Sequence, residues 1–273
     1  GSAKEEKEIL ELFAGVFTVL DERTFRDVFT LHMQVLFEQL VQRDAYLAIP
    51  NHFLSNQSVS RIFADILLSF LLGRVRDLGS CERAEAAAIL GLFKMAFASV
   101  QTYAENEAVL RPHVRAIVIG CLKHAMGEKR PTHYYQLLRS LFRSVSQGKF
   151  DSVMKEFIAL LKNLLDSLVK LFNAAQDDDT KEQLAELCLM VPARLNFLLP
   201  HIALLMKPIV FALNSSTETA LFALKKLESW VENLQPGYFD PLLQDAKEQL
   251  VPALNKHLQS GVQSCAFLVT KIP

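Results

Sequence analysis

The chain is predicted to be all-α, built from repeated pairs of antiparallel helices, and three observations carry this. No stretch alternates apolar and polar residues with period two over the length of a strand. Apolar residues recur instead at three- and four-residue steps along most of the chain. A short pattern also returns: Leu110-Arg111-Pro112-His113-Val114 is matched by Leu198-Leu199-Pro200-His201-Ile202, 88 positions further on. That offset is two periods of about 44 residues, within the roughly 40–47 of HEAT and armadillo arrays. The intermediate position, Glu156, falls inside a long helical pattern, and Pro241 follows Pro200 by 41 positions. An irregular helical bundle is the competing architecture. The regular spacing of the last four pairs favours an α-solenoid of about five to six repeats, expected to run as one continuous segment over residues 3–273.

The elements follow in order. A first helix spans Lys4 to Leu20, with Ile9, Leu10, Phe13, Val16, Phe17 and Leu20 on one face. Thr24-x-x-Asp27 opens a second, from Phe25 to about Val41. A polar connector holding Pro50, from about Asp44 to Ser58, is the longest loop expected. The next pair is Val59 to Val75 and Glu82 to Tyr103, broken at Asp77-Leu78-Gly79-Ser80. Asn106 is the expected N-cap of a helix from Glu107 to Met126, and Pro131 starts another that runs to Gln147. Asp151 opens a long helix to Ala174. The acidic run Asp177-Asp178-Asp179 precedes the helix Thr180 to Met190, where negative charge favours a helix N-terminus.

The most legible pair lies between Glu186 and Pro241. Its first helix carries Leu195, Leu198, Leu199, Ile202, Leu205, Met206, Ile209 and Val210 on one face, and its second Leu221, Leu224, Leu227, Val231 and Leu234. Between them Ser215 and Glu218 have the spacing of a capping box. Trp230, beside the core position Val231, is expected to be buried. Pro200, Pro208 and Pro252 fall inside helical patterns and should bend or break them. Asp240-Pro241 supplies an N-cap followed by proline at the first helical position.

Bulk properties exclude several classes of function. Half of the 273 residues are hydrophobic, so a core is readily formed, and the formal net charge of −1 gives no global attraction to nucleic acid or anionic membranes. The most apolar run, Phe197 to Leu213, is broken by His201, Lys207 and two prolines and falls short of the ~20 residues of a membrane span. Cys81, Cys121, Cys188 and Cys265 are separated by 40, 67 and 77 positions, without metal-ligand spacing. They read as buried free thiols of a reducing compartment. Gly1-Ser2 reads as a cloning scar on a fragment of a larger protein. Phosphate-cradling glycine motifs, zinc-protease motifs and the nucleophile elbow are absent. The histidines are dispersed, and His113 and His201, at equivalent repeat positions, read as structural. No catalytic residue, metal, cofactor or small-molecule substrate is expected.

Charge is uneven along the chain. Residues 107–150 hold eight basic side chains against Glu107 and Glu128, whereas residues 1–50 and 151–200 are net acidic. Within the basic band Tyr135, Arg139 and Arg143 follow at i, i+4 and i+8 on one helix, with Arg111 and Arg115 on the helix before it. The plain reading is a solvated face paired with acidic neighbours. The sharper reading is a docking strip for an acidic, aromatic-containing segment. Arg139 and Arg143 would supply charge, Tyr135 an aromatic platform, and Arg111 and Arg115 the flank.

The stretches EEKEILELFAGVF (5–17), NHFLSNQSVSRIFADILLSFL (51–71), ENEAVLRPHV (105–114), YYQLLRSLFRS (134–144), ELCLMVPARLNFLLPHIALLMKPIVFALN (186–214) and LESWVENLQPGYFDP (227–241) carry a further signal. With them the chain resembles, nearly end to end, the helical-repeat region of the TRRAP family, the giant pseudokinases of the PIKK class. That resemblance implies a nuclear, non-enzymatic scaffold shared by histone acetyltransferase co-activator complexes of the SAGA type. In that family the repeats receive acidic activation domains of transcription factors and brace other subunits, and the kinase-like domain lies far C-terminal and lacks catalytic residues. A HEAT segment of an active PIKK-family kinase and a HEAT-built nuclear transport receptor are the alternatives.

Overall fold

A computed structural model describes residues 3–128, 131–147, 150–233 and 247–259, and among them there is no strand. The chain divides into two compact units, 1–157 and 158–273. The first contains α1 (Ala3–Phe17), α2 (Glu22–Gln42), a 3-10 turn (Asp44–Leu47), α3 (Ala48–Leu54), α4 (Ser60–Leu72), α5 (Arg83–Thr102), α6 (Asn106–Ala125) and α7 (Thr132–Gln147). The division falls within α8 (Asp151–Ala174). The second unit continues with α9 (Asp178–Met190), α10 (Leu195–Leu198), a 3-10 turn (Leu199–His201), α11 (Ile202–Leu213), α12 (Thr217–Asn233) and α13 (Lys247–Gln259).

In the first unit α4 packs between α2 and α6, while α5 packs on both α3 and α7. Successive helices also pack across this division, α4 on α5 and α6 on α7, so two layers face each other. Phe63, Leu67 and Leu71 of α4, Phe93 and Phe97 of α5, Val114, Ile117 and Cys121 of α6, and Tyr134, Leu138 and Leu141 of α7 fill the space between. Repeat spacing is regular: Ser60, Asn106, Asp151 and Leu195, the first residues of α4, α6, α8 and α10, are 46, 45 and 44 positions apart. In the second unit α11 packs on α9, α12 and α13, and buries Ile202, Leu205 and Ile209.

Several local expectations are corrected. The connector at 44–58 is not a loop, because Ala48–Leu54 is helical. Pro50 is its third residue, where the missing N–H has no intrahelical partner to lose. Phe53 anchors the helix, edge-on to Phe25 at 5.2 Å, at 4.6 Å from Phe29 and 5.0 Å from Phe63. The second helix starts at Glu22 and is capped by Asp21, whose carboxylate accepts the Thr24 N–H at 3.0 Å and the Thr24 hydroxyl at 2.6 Å. Asn106 is not a cap. Backbone turns from Tyr103 and Ala104 satisfy the first N–H groups of α6, and the Asn106 side chain points into the core. At 214–218 the cap is Ser216 rather than Ser215, and its hydroxyl accepts the Thr219 N–H at 3.4 Å. The carboxylate that closes this turn belongs to Glu182 of α9, which accepts from the hydroxyls of Ser216 and Thr219 at close range. Burial opposes ionisation of Glu182, but these hydroxyl bonds outweigh it and hold its pKa below the usual carboxylate value.

Pro200 interrupts the helix at the 3-10 turn Leu199–His201, whereas Pro208 and Pro252 lie inside α11 and α13. On α1 Ala14 is buried, whereas Ile9, Phe13 and Val16 of its apolar face, and Leu12 beside them, are exposed. Two helical stretches, Arg83–Thr102 and Leu195–Leu213, have the length and composition to cross a membrane, which corrects the expectation that the second is too short. Each buries residues in the helical stack, among them Phe93 and Phe97 in the first and Ile202 and Ile209 in the second. The Asp240-Pro241 cap, Cys265 and Gly1-Ser2 lie outside the described residues.

Trp230 is 4% exposed, as expected. Trp230→Ala should cost about 3–5 kcal/mol in urea unfolding, and a loss below about 1 kcal/mol would place the indole outside the core. Cys121 and Cys188 are buried free thiols and Cys81 is half-buried. Burial raises all three thiol pKa values, that of Cys188 to about 12. Cys121 and Cys188 should therefore resist iodoacetamide at pH 8 until denaturant is added, as followed by mass spectrometry.

Candidate functional site

The basic band maps onto α6 and α7, and the two helices do not present it as one strip. They lie in opposite layers, packed on each other through their buried sides, so their exposed sides face away from one another. On α7 the buried arc spans Tyr134, Tyr135, Leu137, Leu138, Leu141, Phe142, Ser144 and Val145. Tyr135 is only 3% exposed, which corrects its assignment as an aromatic platform. In a layered stack a helix is covered on its core side and on its flanks. Tyr135 occupies a flank, one residue from the fully buried Tyr134. Arg139, a turn further on, is half-buried, and of the predicted stripe only Arg143 is fully at the surface.

Tyr134 locks the start of α7 to the turn before α5. Its hydroxyl donates to the Arg76 carbonyl at 2.9 Å and accepts the Gly79 N–H at 3.1 Å. A Cβ on Gly79 would come within 2.9 Å of the Tyr134 ring, so this position requires glycine. Burial also raises the Tyr134 pKa, the Gly79 bond opposing the shift.

On α6, Arg111 is engaged by its neighbour: its Nε lies 3.0 Å from a carboxylate oxygen of Glu156 on α8. Glu107 caps the same helix from outside, accepting the N–H groups of Ser152 at 2.7 Å and Val153 at 3.0 Å. Both pairings join residues 45 or 46 positions apart, and an acidic residue one repeat from Arg111 was the signal available in the sequence. Arg115 is exposed and opens a line that sequence reasoning missed: Arg115, Ile119 and Lys123 at i, i+4 and i+8 on the outer side of α6. Ile119 is 45% exposed, an apolar side chain between two cations. Neither cation makes a salt bridge among the described residues. His113, on the same helix, is half-buried, and burial lowers its pKa against the raising influence of Asp65. Lys129, Arg130 and Lys149 of the band lie outside the described residues. Among the described residues no group of His, Cys, Asp or Glu side chains converges to hold a metal.

Tyr135→Ala should thus behave as a core truncation, costing about 3–5 kcal/mol by analogy with other buried aromatics. Arg143→Glu, at an exposed position, should cost clearly less than Tyr135→Ala. Thermal unfolding of both checks this, and a neutral Tyr135→Ala would return that ring to the surface.

Comparison with known proteins places these features in a lineage. The sequence profile of the Tra1 HEAT repeat central region matches residues 1–261. The chain is 39% identical over 271 residues, 98% of its length, to the human transformation/transcription domain-associated protein, and covers 7% of that relative. It is 32% identical over 259 residues, 94% of its length, to the SAGA complex/NuA4 acetyltransferase complex subunit TRA1 of Saccharomyces cerevisiae, again 7% of the relative. The Schizosaccharomyces pombe subunit of the same description is 37% identical over 254 residues, which make up 93% of this chain and 7% of that protein. With the profile spanning all but the last residues and identities above 30% over nearly the whole chain, the protein belongs to the Tra1 family and represents its central HEAT-repeat region.

Proposed function

We propose that this segment is a non-enzymatic scaffold region of a nuclear transcription co-activator. It would brace subunits of histone acetyltransferase complexes and receive acidic activation domains of transcription factors. The observation that carries this reading is the family match over residues 1–261, joined to yeast relatives described as SAGA and NuA4 acetyltransferase complex subunits. A stack of helix pairs supports it physically, since each pair contacts mainly its neighbours and leaves long outer faces for partners. That the two units form one continuous array is part of the same proposal.

For acidic segments, the outer side of α6 fits better than the Tyr135–Arg139–Arg143 stripe. Arg115 and Lys123 offer charge one helical turn to either side of exposed Ile119, and an amphipathic acidic helix needs both a cation and an apolar contact. Arg111 extends the line but already faces Glu156. Arg143, with Arg139 beside it, offers charge on α7 without an exposed aromatic neighbour.

Purification of the full-length protein from nuclear extract should recover acetyltransferase-complex subunits, and recovery of none would overturn the scaffold reading. Titration of an acidic activation-domain peptide should show weaker binding to Arg115→Glu/Lys123→Glu, with melting temperature unchanged. Affinity for the parent should fall as salt rises from ~0.1 M. Equal loss in Arg143→Glu, or none in the double variant, would move the site off α6.

A further inference from the structure

The second unit holds a cavity of about 390 Å³ that the scaffold reading does not use. Lys181, in the first turns of α9, and Lys207, on α11, both line it, and among the described residues no carboxylate does. Neither lysine makes a salt bridge among the described residues. Of the acidic neighbours of Lys181, Glu182 accepts from the Ser216 and Thr219 hydroxyls, and Asp177, one turn before the lysine, is committed as the cap of α9, accepting the Thr180 N–H at 2.8 Å. That bond first, the Thr180 hydroxyl next and the Lys181 charge last keep it ionised, its pKa below the usual value.

Carboxamides complete the polar wall. Asn173, Asn214 and Gln249 reach it from α8, the end of α11 and α13. Asn214 spends one N–H on the Val210 carbonyl at 3.0 Å and retains a second donor. The opposite character comes from Phe172 and Phe211, edge-on with centroids 5.5 Å apart. Two lysine side chains, with no carboxylate among the described lining residues, give the cavity a cationic lining. A dianion satisfies both, whereas a single carboxylate neutralises one. Lysines bind phosphate as point charges, and a phosphate monoester carries about two charges and three acceptor oxygens for the surrounding donors. The phenyl rings suit an apolar or aromatic body behind the phosphate, and the volume lies in the range of small-molecule sites. We propose that this cavity binds a phosphate monoester borne on an apolar body.

The test is calorimetric titration of phenyl phosphate into the chain at low salt. Saturable binding is expected. Lys181→Gln/Lys207→Gln should weaken it by at least about tenfold with melting temperature unchanged, because each charged hydrogen bond lost is worth roughly that factor. Lys181→Arg/Lys207→Arg should retain it. Benzoate, with the same ring and one charge, should bind more weakly than phenyl phosphate. A short phosphotyrosine peptide identifies the source. Binding at least as tight as that of phenyl phosphate indicates a phosphorylated partner side chain, and weaker binding indicates a free small molecule. Absence of saturable binding up to millimolar phenyl phosphate, or equal binding by the parent and the Gln variant, overturns the proposal.

Discussion

Asn106 sits where four helix ends meet, and the register of the first unit depends on it. Its Nδ2 donates to the hydroxyls of Ser60 at 2.9 Å and Ser99 at 3.1 Å. Ser60 in turn donates to the Leu54 carbonyl at 2.8 Å, and Ser99 to the Ala96 carbonyl at 2.7 Å. The knot thereby ties the end of α3, the start of α4, the end of α5 and the start of α6, all out of water. Buried amides and hydroxyls cost free energy unless bonded, so a slip of one pair against the next would strand several at once. Apolar packing holds the layers together without choosing a register, since one leucine flank resembles another. The polar knot makes that choice.

A one-repeat offset recurs in three further ties. Glu107 caps α8, Arg111 meets Glu156, and the Ser144 hydroxyl donates to the Phe97 carbonyl at 3.1 Å, across separations of 45 to 47 positions. Arg26 meets Asp65 at 2.6 Å, and Arg74 lies 3.6 Å from the Phe70 ring centre while bonding Gln34. Exposed pairs of this kind contribute little individually. Their value lies in direction: polar side chains on the flanks of each pair are committed to the next pair, and what remains for partners is the outer side alone.

This division explains what could be read from the sequence. Helix periodicity comes from the core-facing side of each helix, so the existence and spacing of α4 to α9 were legible, as was the burial of Trp230. Helix ends were not, because satisfaction of a terminal N–H depends on which group arrives from elsewhere. Glu107 reaches α8 from one repeat back, and Glu182 reaches the start of α12 from α9. Nor was α3 legible: its proline resembles a breaker until Phe53 is seen packed among three other phenylalanines. Tyr135 failed for the opposite reason. A 3.6-residue period separates the core side from the rest but carries no mark of a covered flank, and a tyrosine on that flank has the same spacing as one in solvent.

Coverage of the flanks then decides what kind of partner the basic band can meet. If a helix of the stack presented most of its circumference, Tyr135, Arg139 and Arg143 would form a continuous aromatic and cationic ridge. With the flank covered, α7 offers Gln136, Arg143, Ser146 and Gln147, a polar strip with one cation and no apolar anchor. The outer side of α6 keeps an anchor because Ile119 lies opposite the core positions Val114, Ile117 and Cys121 and away from both flanks. Its cost in exposed apolar surface is that of one isoleucine, small enough for a lone chain to tolerate. Flanked by Arg115 and Lys123 it combines apolar contact with charge at a spacing that a partner helix can match turn for turn. The net charge of the chain, near zero, hides this arrangement entirely. It emerges only when each cation is assigned to a layer, a side and a neighbour.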